Sequence, residues 1–204
     1  MKCSATLFVV LVFAAVGCGG GSSSDRIVFG SGSVYDSDGT FYDSEISVMN
    51  ADGTGVRQLT DNDNWDWDPR WSPNGKKIVF RSDRDGDSEI FVMNADGTKV
   101  IQLTDNAHVN VLTRTYWSPD GTRIAFASPR CRASEIFVMN ADGTNVSQLT
   151  NDNSGEGLLS WSPDGKRIAF ASRRYGESEI FVMNADGTNT YSTGQKGWSP
   201  RFGG

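Results

Sequence analysis

The chain has 204 residues and a net charge of −6, from 25 acidic and 19 basic side chains. An acidic chain lacks the basic footprint that nucleic-acid binding requires, so we exclude that class of function. Two of the three cysteines lie within the first 18 residues, which leaves no framework of disulfide bonds, and packing must therefore hold the fold.

The N-terminal residues have the layout of a secretory signal peptide. Lys2 provides a positive start, an uncharged apolar run follows at 5–16, and small residues precede Cys18. The apolar run is too short to span a bilayer comfortably. A small residue directly before Cys18 resembles the bacterial lipobox, which implies removal of residues 1–17 and a lipidated Cys18 as the mature N-terminus. An ordinary cleaved signal or a buried apolar segment is the alternative. Residues 18–25, rich in Gly and Ser, are predicted to be a flexible tether.

From residue 26 onward the chain repeats itself. The phrase SEIFVMNADGT occurs at 88–98, 134–144 and 178–188, and the near copy SEISVMNADGT occurs at 44–54. A second phrase, WSP, begins at Trp71, Trp117, Trp161 and Trp198. The methionines of the first phrase are spaced by 44, 46 and 44 residues.

Each repeat holds four short runs rich in β-branched and aromatic residues. The turn sequences SPDG and NADGT separate the runs, which indicates strands joined by tight turns. EIFVMN is apolar on both faces, as expected for a strand between two neighbouring sheets. Four strands in a repeat of 44 to 46 residues is typical of a β-propeller blade.

The order of the runs predicts how the blades assemble. We name the runs A (WSP), B (such as RIAF), C (SEIFVMN) and D (QLT). The chain begins with B-C-D, continues with three A-B-C-D sets and ends with a lone A run, GWSPRF. The sequence therefore predicts an all-β propeller over residues 26–204, with four four-stranded blades. The C-terminal WSP strand is expected to close the ring by pairing with the N-terminal strand. A partial ring that dimerises or has lost blades is the alternative.

The phrases WSPDGKRIAFASRR, SEIFVMNADGT and QLT resemble the repeat of TolB-type propellers over nearly all of residues 26–202. The resemblance implies a propeller, usually six-bladed, of the kind found in bacterial envelope proteins that bind other proteins. Related propellers also cover prolyl-oligopeptidase-like hydrolases. This sequence departs from the TolB pattern, because it has four repeats and no α/β domain before them. No partner-binding residue is therefore carried over.

One end of the predicted propeller is the candidate recognition surface. The A–B and C–D turns share one end and are nearly identical among the repeats, whereas the B–C and D–A loops share the other end and vary. Variable loops on a rigid scaffold are the usual place of recognition, and we call this the variable end. Its aromatic and charged residues are the candidate partner-binding residues: Tyr35, Phe41, Tyr42, Trp65, Asp66, Trp67, Arg114, Arg130, Arg173 and Arg174. The alternative is that the tryptophans pack between blades and the aspartates cap turns.

Catalytic and metal-binding patterns are sparse. Two aspartate groups resemble calcium loops without matching the EF-hand spacing: Asp36 with Asp38, and Asp83 with Asp85 and Asp87. The single histidine, His108, and the absence of a Gly-x-Ser-x-Gly motif argue against a hydrolase triad, and zinc would need more ligands than the chain offers. We therefore predict no enzyme activity and no cofactor.

The sequence predicts a lipoprotein of the bacterial cell envelope, anchored in the membrane by its lipid. Its propeller is expected to bind an envelope protein or peptide. Two alternatives stay open. One is a carbohydrate-binding or glycan-cleaving propeller that uses Trp65, Trp67 and Tyr42, and the other is a structural remnant of a larger propeller.

Overall fold

The computed structural model describes residues 25–32, 44–105, 114–130, 133–152 and 154–203. These residues form antiparallel sheets and no helix, so the all-β prediction is confirmed. Within these ranges there is no helical segment of the length and apolarity needed to cross a membrane. The predicted signal peptide, Cys18 and the tether up to residue 24 lie outside the described residues.

Four sheets follow one another along the chain, and we call them blades 1 to 4. Blade 1 contains β1 (Arg26–Gly32), β2 (Ser44–Asn50) and β3 (Arg57–Gln58). Blade 2 contains β4 (Asp66–Trp71), β5 (Lys77–Ser82), β6 (Glu89–Asn94) and β7 (Ile101–Gln102). Blade 3 contains β8 (Tyr116–Trp117), β9 (Arg123–Arg130), β10 (Ala133–Asn140) and β11 (Ser147–Gln148). Blade 4 contains β12 (Gly157–Trp161), β13 (Arg167–Tyr175), β14 (Glu177–Asn184) and β15 (Tyr191–Lys196). Blades 2 to 4 have the predicted spatial order A-B-C-D, which confirms the four-blade prediction.

The hydrophobic core lies between consecutive blades, because strands B and C are apolar on both faces. Ile90 and Val92 of blade 2 pack with Phe126 and Phe137 of blade 3. Equivalent clusters join blade 1 to blade 2 and blade 3 to blade 4. The two phenylalanines of a complete blade stack on each other, as Phe126 and Phe137 do at 5.6 Å between ring centroids. Burial of each such ring contributes about 2 kcal/mol, so every blade depends on its neighbours.

The predicted closing strand is not formed. β1 pairs with β2, and the C-terminal residues after β15 form no strand beside it. Those residues lie against blade 4: the Phe202 amide donates to Ser160 Oγ at 3.4 Å, and the Arg167 guanidinium lies over the Phe202 ring at 5.5 Å. The described residues therefore give blade 1 three strands. No core cluster of the described residues joins blade 4 to blade 1, so these blades form an open row.

The prediction that the C-terminal WSP phrase closes the ring is wrong. The length of the connection between the last strand D and this phrase explains why. The connections before the WSP tryptophans of blades 2, 3 and 4 take 13, 15 and 13 residues: Gln58 to Trp71, Gln102 to Trp117 and Gln148 to Trp161. The equivalent step from Ser192 to Trp198 takes only six residues. Strands lie about 4.8 Å apart, so crossing one blade from its outermost to its innermost strand takes about 14 Å before the next blade is reached. Because β15 runs along β14 as far as Lys196, too little chain is left for this crossing.

A buried hydroxyl–carboxylate contact, which we call the Glu–Thr clasp, ties strand C to the residues that follow strand D. In blade 3, Thr150 Oγ accepts a hydrogen bond from the Ile136 amide at 2.9 Å and donates one to Glu135 Oε2 at 2.6 Å. Both partners of the clasp are buried. The same contacts join Thr60 to Glu45 and Ile46, and Thr104 to Glu89 and Ile90.

We expect Thr150→Val to lower the free energy of unfolding by about 2 kcal/mol, because it leaves a buried amide and a buried carboxylate without their hydroxyl partner. Thr188→Val is the matched control, since Thr188 makes its hydrogen bonds in an exposed turn, and it should cost less than half as much. Denaturant unfolding of both variants measures the difference. Equal losses would show that the clasp contributes nothing beyond an ordinary turn.

Candidate functional site

The end of the blades opposite the variable end is a uniform scaffold. In the NADGT turn of blade 3, Asp142 Oδ1 accepts hydrogen bonds from the Thr144 hydroxyl at 2.6 Å and the Thr144 amide at 3.0 Å, and Gly143 takes a φ of 84°. The Thr144 hydroxyl and amide hold the pKa of Asp142 below its usual range. The equivalent aspartates, Asp52, Asp96 and Asp186, make the same contacts and have lowered pKa values.

At the variable end of blade 2, four side chains form an ordered surface that we call the tryptophan ridge: Trp65, Trp67, Asp68 and Arg81. The two indole rings meet edge to face with centroids 6.2 Å apart. The Arg81 guanidinium lies over the Trp67 ring at 4.7 Å and pairs with Asp68 at 3.6 Å. Trp65 is 42% exposed, whereas Trp67 and Asp68 are half-buried, so Trp65 presents the outer surface of the ridge.

The backbone beneath the ridge is fixed on both sides. The Trp65 amide donates to Asp83 Oδ1 at 2.7 Å, and the Asp83 amide donates to the Trp65 carbonyl at 3.2 Å. Between Trp67 and Arg70 the pairing of β4 with β5 shifts register, and Asp68 takes a φ of 53° there. This bulge turns β4 locally, as bulges next to binding sites commonly do.

The predicted contact residue Asp66 lies inside the blade rather than on its surface. Both of its carboxylate oxygens accept hydrogen bonds from Arg84 Nη2 at 2.9 Å, and Asn62 Nδ2 donates to Oδ2 at 2.9 Å. Arg84 in turn lies over the Phe91 ring at 4.8 Å. Asp66 is fully buried, so it holds the loop in position and is not on the surface that a partner would contact.

Blade 4 has an equivalent anchor beside a cavity. Arg174 lies over the Phe181 ring at 4.4 Å and bridges Glu156 at 3.1 Å and Asp152 at 2.8 Å. The cavity has a volume of about 300 Å³ and is lined by Ser134, Glu156, Leu158, Arg173 and Trp198 among others. Trp198 is 76% exposed and stands at this cavity, whereas Glu156 is buried.

Glu156 is an unusual carboxyl group. Burial raises its pKa to about 7 against the opposing hydrogen bond from Ser172, and the nearby charge of Asp152 raises it further. Its Oε1 accepts hydrogen bonds from Ser172 and Arg174, and its Oε2 is buried with the Asp152 carboxyl group beside it. At neutral pH this group is therefore close to the midpoint of its protonation, within the wall of the cavity.

The remaining predicted residues are spread over the structure. Arg114 is exposed near the inner strand of blade 3, where its charge acts on Arg70 and Tyr116. Arg173 is exposed and lines the cavity of blade 4. Arg130 ends β9, and its side chain is outside the described part of the chain. The predicted positions Tyr35, Asp36, Asp38, Phe41 and Tyr42 also lie outside the described residues.

Two of the aspartates considered for calcium, Asp83 and Asp85, have protein partners. Asp83 accepts from the Trp65 amide, and Asp85 accepts from the Gln102 amide group. Among the described residues, no group of three or more His, Cys, Asp or Glu side chains is placed to hold a metal ion.

Two features were not found from the sequence. Arg81 occupies a position that is Ala127 in blade 3 and Ala171 in blade 4, so its departure from the repeat was a usable signal. Glu156 and Trp198 are far apart in the sequence, and the Trp belongs to a phrase expected inside a strand. The cavity that they share arises because the C-terminal residues lie against blade 4.

Comparison with known proteins identifies the family to which this propeller belongs. The family model described as the TolB beta propeller domain matches residues 34–116 and 106–200. No curated protein matches the chain. TolB from Acinetobacter baumannii is similar in structure, with a TM-score of 0.68 and 21% identity over 85% of this chain and 42% of that chain.

Two further structures are similar. Putative TolB from Agrobacterium tumefaciens has a TM-score of 0.61 and 25% identity, covering 81% of this chain and 60% of its own. Oligogalacturonate lyase from Vibrio parahaemolyticus has a TM-score of 0.66 at 12% identity, over 82% of this chain and 48% of its own, a likeness of fold alone. The chain thus spans between 42% and 60% of the lengths of these proteins. Since the family model covers most of the repeats that form the four blades, the chain belongs to the TolB beta-propeller domain family.

Proposed function

We propose that the chain is a non-enzymatic scaffold that binds a protein or peptide with its variable end. The observation that carries the proposal is the tryptophan ridge, where Trp65 stands exposed on a backbone held by Asp83. Tryptophan and arginine are the residues most often found at the energetic centre of protein interfaces. An exposed indole that is already fixed in place loses little conformational entropy on binding.

The proposed location is the bacterial cell envelope, with the propeller anchored in the membrane through a lipid on Cys18. Support comes from the small residue before Cys18, from the apolar run before it, and from similarity to two proteins named TolB. The lyase activity named for the Vibrio parahaemolyticus structure is not carried over, because an identity of 12% supports the fold alone.

Trp65→Ala should weaken binding of the partner by about tenfold or more while leaving the thermal unfolding temperature unchanged, because Trp65 makes its contacts at the surface. The partner is first captured from envelope extract with the wild-type chain and purified, and its affinity for each variant is then measured by surface plasmon resonance. Tyr191→Ala is the matched control, since Tyr191 is 53% exposed and lies on β15 beside the uniform turns. Equal affinity of the Trp65 variant and the wild type would refute the proposal.

The cavity of blade 4 supports a second candidate function, the binding of a small polar ligand such as a saccharide. An exposed Trp198 offers a flat apolar surface, and the exposed Arg173 at the cavity wall can hydrogen-bond a hydroxyl group. A glycan-array comparison tests it. Trp198→Ala and Arg173→Ala should each lose any glycan signal, and Trp65→Ala should keep it. A signal lost with Trp65 instead would assign glycan binding to the ridge.

The raised pKa of Glu156 predicts a distinctive dependence of stability on pH. Between pH 4.5 and 7 the unfolded chain loses this proton while the folded chain keeps it, so folding becomes less favourable as pH rises. The stability of the wild type relative to Glu156→Gln should therefore fall by about 3 kcal/mol between pH 4.5 and 7.5 and then stay level.

Denaturant unfolding at a series of pH values measures this difference. Glu177→Gln is the control, because it removes an exposed carboxyl group, paired with Lys196, instead of a buried one. Parallel profiles for the wild type and Glu156→Gln would show that Glu156 titrates as an ordinary carboxyl group.

A further inference from the structure

The indole nitrogens of the WSP tryptophans connect consecutive blades. Trp117 Nε1 donates to the Arg70 carbonyl at 3.3 Å, and Trp161 Nε1 donates to the Tyr116 carbonyl at 3.1 Å. Arg70 and Tyr116 each stand directly before the WSP tryptophan of the preceding blade. Each indole therefore donates a hydrogen bond to one main-chain carbonyl on the innermost strand of the preceding blade.

Trp71 of blade 2 is in the same place but lacks this partner. The Arg26 guanidinium lies over its ring at 4.8 Å, the same distance as Arg123 keeps from the Trp161 ring. Trp71 Nε1 is nevertheless buried without a hydrogen-bond partner. The preceding blade is blade 1, in which no described residue forms an innermost strand that would supply the carbonyl. A buried donor without a partner costs about 1 to 3 kcal/mol.

The inner edge of β1 offers the matching main-chain groups. The Ala51 amide donates to the Asp25 carbonyl, so Asp25 is turned toward β2. In blade 3 the equivalent of Arg26 is Arg123, whose carbonyl accepts from the Ser118 amide on the innermost strand. Because main-chain groups alternate sides in an antiparallel strand, those of Arg26, Val28 and Gly30 point to the open edge.

The apolar face beside this edge is incompletely covered. Ile27 and Phe29 are half-buried, whereas their equivalents in blade 2, Ile78 and Phe80, are fully buried at 0% exposure because blade 1 packs against their face. In the three complete blades the WSP tryptophan pairs with the isoleucine of strand B: Trp71 with Ile78, Trp117 with Ile124, and Trp161 with Ile168. An aromatic residue opposite Ile27 would cover part of this face, which no core cluster of the described residues covers.

We propose that the inner edge of β1 binds an extended peptide of a partner protein, which adds antiparallel to β1 as the fourth strand of blade 1. An aromatic residue of the peptide lies opposite Ile27, and the residue before it gives its carbonyl to Trp71 Nε1. The chain's own C-terminal WSP phrase does not take this place, because its residues lie against blade 4. The site is continuous with the tryptophan ridge, since β4 runs from Trp67 to Trp71 alongside β1. It goes beyond the proposed function, because it adds main-chain pairing to the side-chain surface of the ridge.

The probe is a synthetic peptide with the sequence of residues 114–121, RTYWSPDG, which contains the innermost strand of blade 3. Fluorescence anisotropy of the labelled peptide should show saturable binding to the wild-type chain. Trp71→Phe keeps the ring and removes the donor, so it should weaken binding about two- to tenfold. Trp117→Phe is the matched control and should bind the peptide as the wild type does, because its indole already has a carbonyl within the chain.

A second peptide tests the strand pairing itself. Methylation of the amide at the serine of the peptide removes the donor that would reach the Arg26 carbonyl, and it should abolish binding. Hydrogen exchange provides an independent measurement, since the Val28 amide should exchange freely in the chain alone and become protected by the peptide. No binding, equal binding of both peptides, or a Val28 amide already protected in the free chain would each overturn the proposal. None of these outcomes depends on Trp65, so failure here leaves the ridge proposal intact.

Discussion

The structure depends on one constraint, which is that every sheet is apolar on both faces and must be covered on both. Phe170, Phe181 and Met183 of blade 4 pack into the same cluster as Ile136 and Val138 of blade 3. In the earlier blades too, the Ile/Val face of one blade packs against the Phe/Met face of the next. A single blade of this kind would expose too much apolar surface to be stable, so the repeat can fold only as an array.

The constraint also explains where the repeat is broken. Blade 1 has Ser47 where the other blades have phenylalanine, and the Ser47 hydroxyl pairs with Ser31 at 2.7 Å. At the other end of the row, Gly197 lies beside Ile180, and Phe202 lies against Arg167. One terminal face is made more polar and the other is covered by the last residues of the chain. Terminal repeats of an array need such treatment because no neighbour covers them.

Repetition made the strand order and the buried faces predictable, because strand length, turn chemistry and alternation are local properties. The closing strand was not predictable in the same way. Whether GWSPRF reaches β1 depends on the length of the link after Ser192 and on how the blades are placed. The residues of the phrase give no information about either. Trp65 and Trp67 were found because aromatic residues among aspartates stand out. Asp66 looked the same in the sequence, yet its pairing with Arg84 buries it.

The buried polar contacts of the described chain concentrate at the variable end, and this determines how that end can work. The Glu–Thr clasps fix the start of strand C and the end of strand D, while Asp66 and Glu156 fix the loops that lead into strand A. Buried carboxylates are stable only when donors surround them, so each of these contacts holds its loop in one geometry. Sequence variation at this end therefore changes the exposed side chains without loosening the backbone beneath them. A ridge such as Trp65 with Trp67 and Arg81 can be built on that frame with the rigidity that selective binding requires.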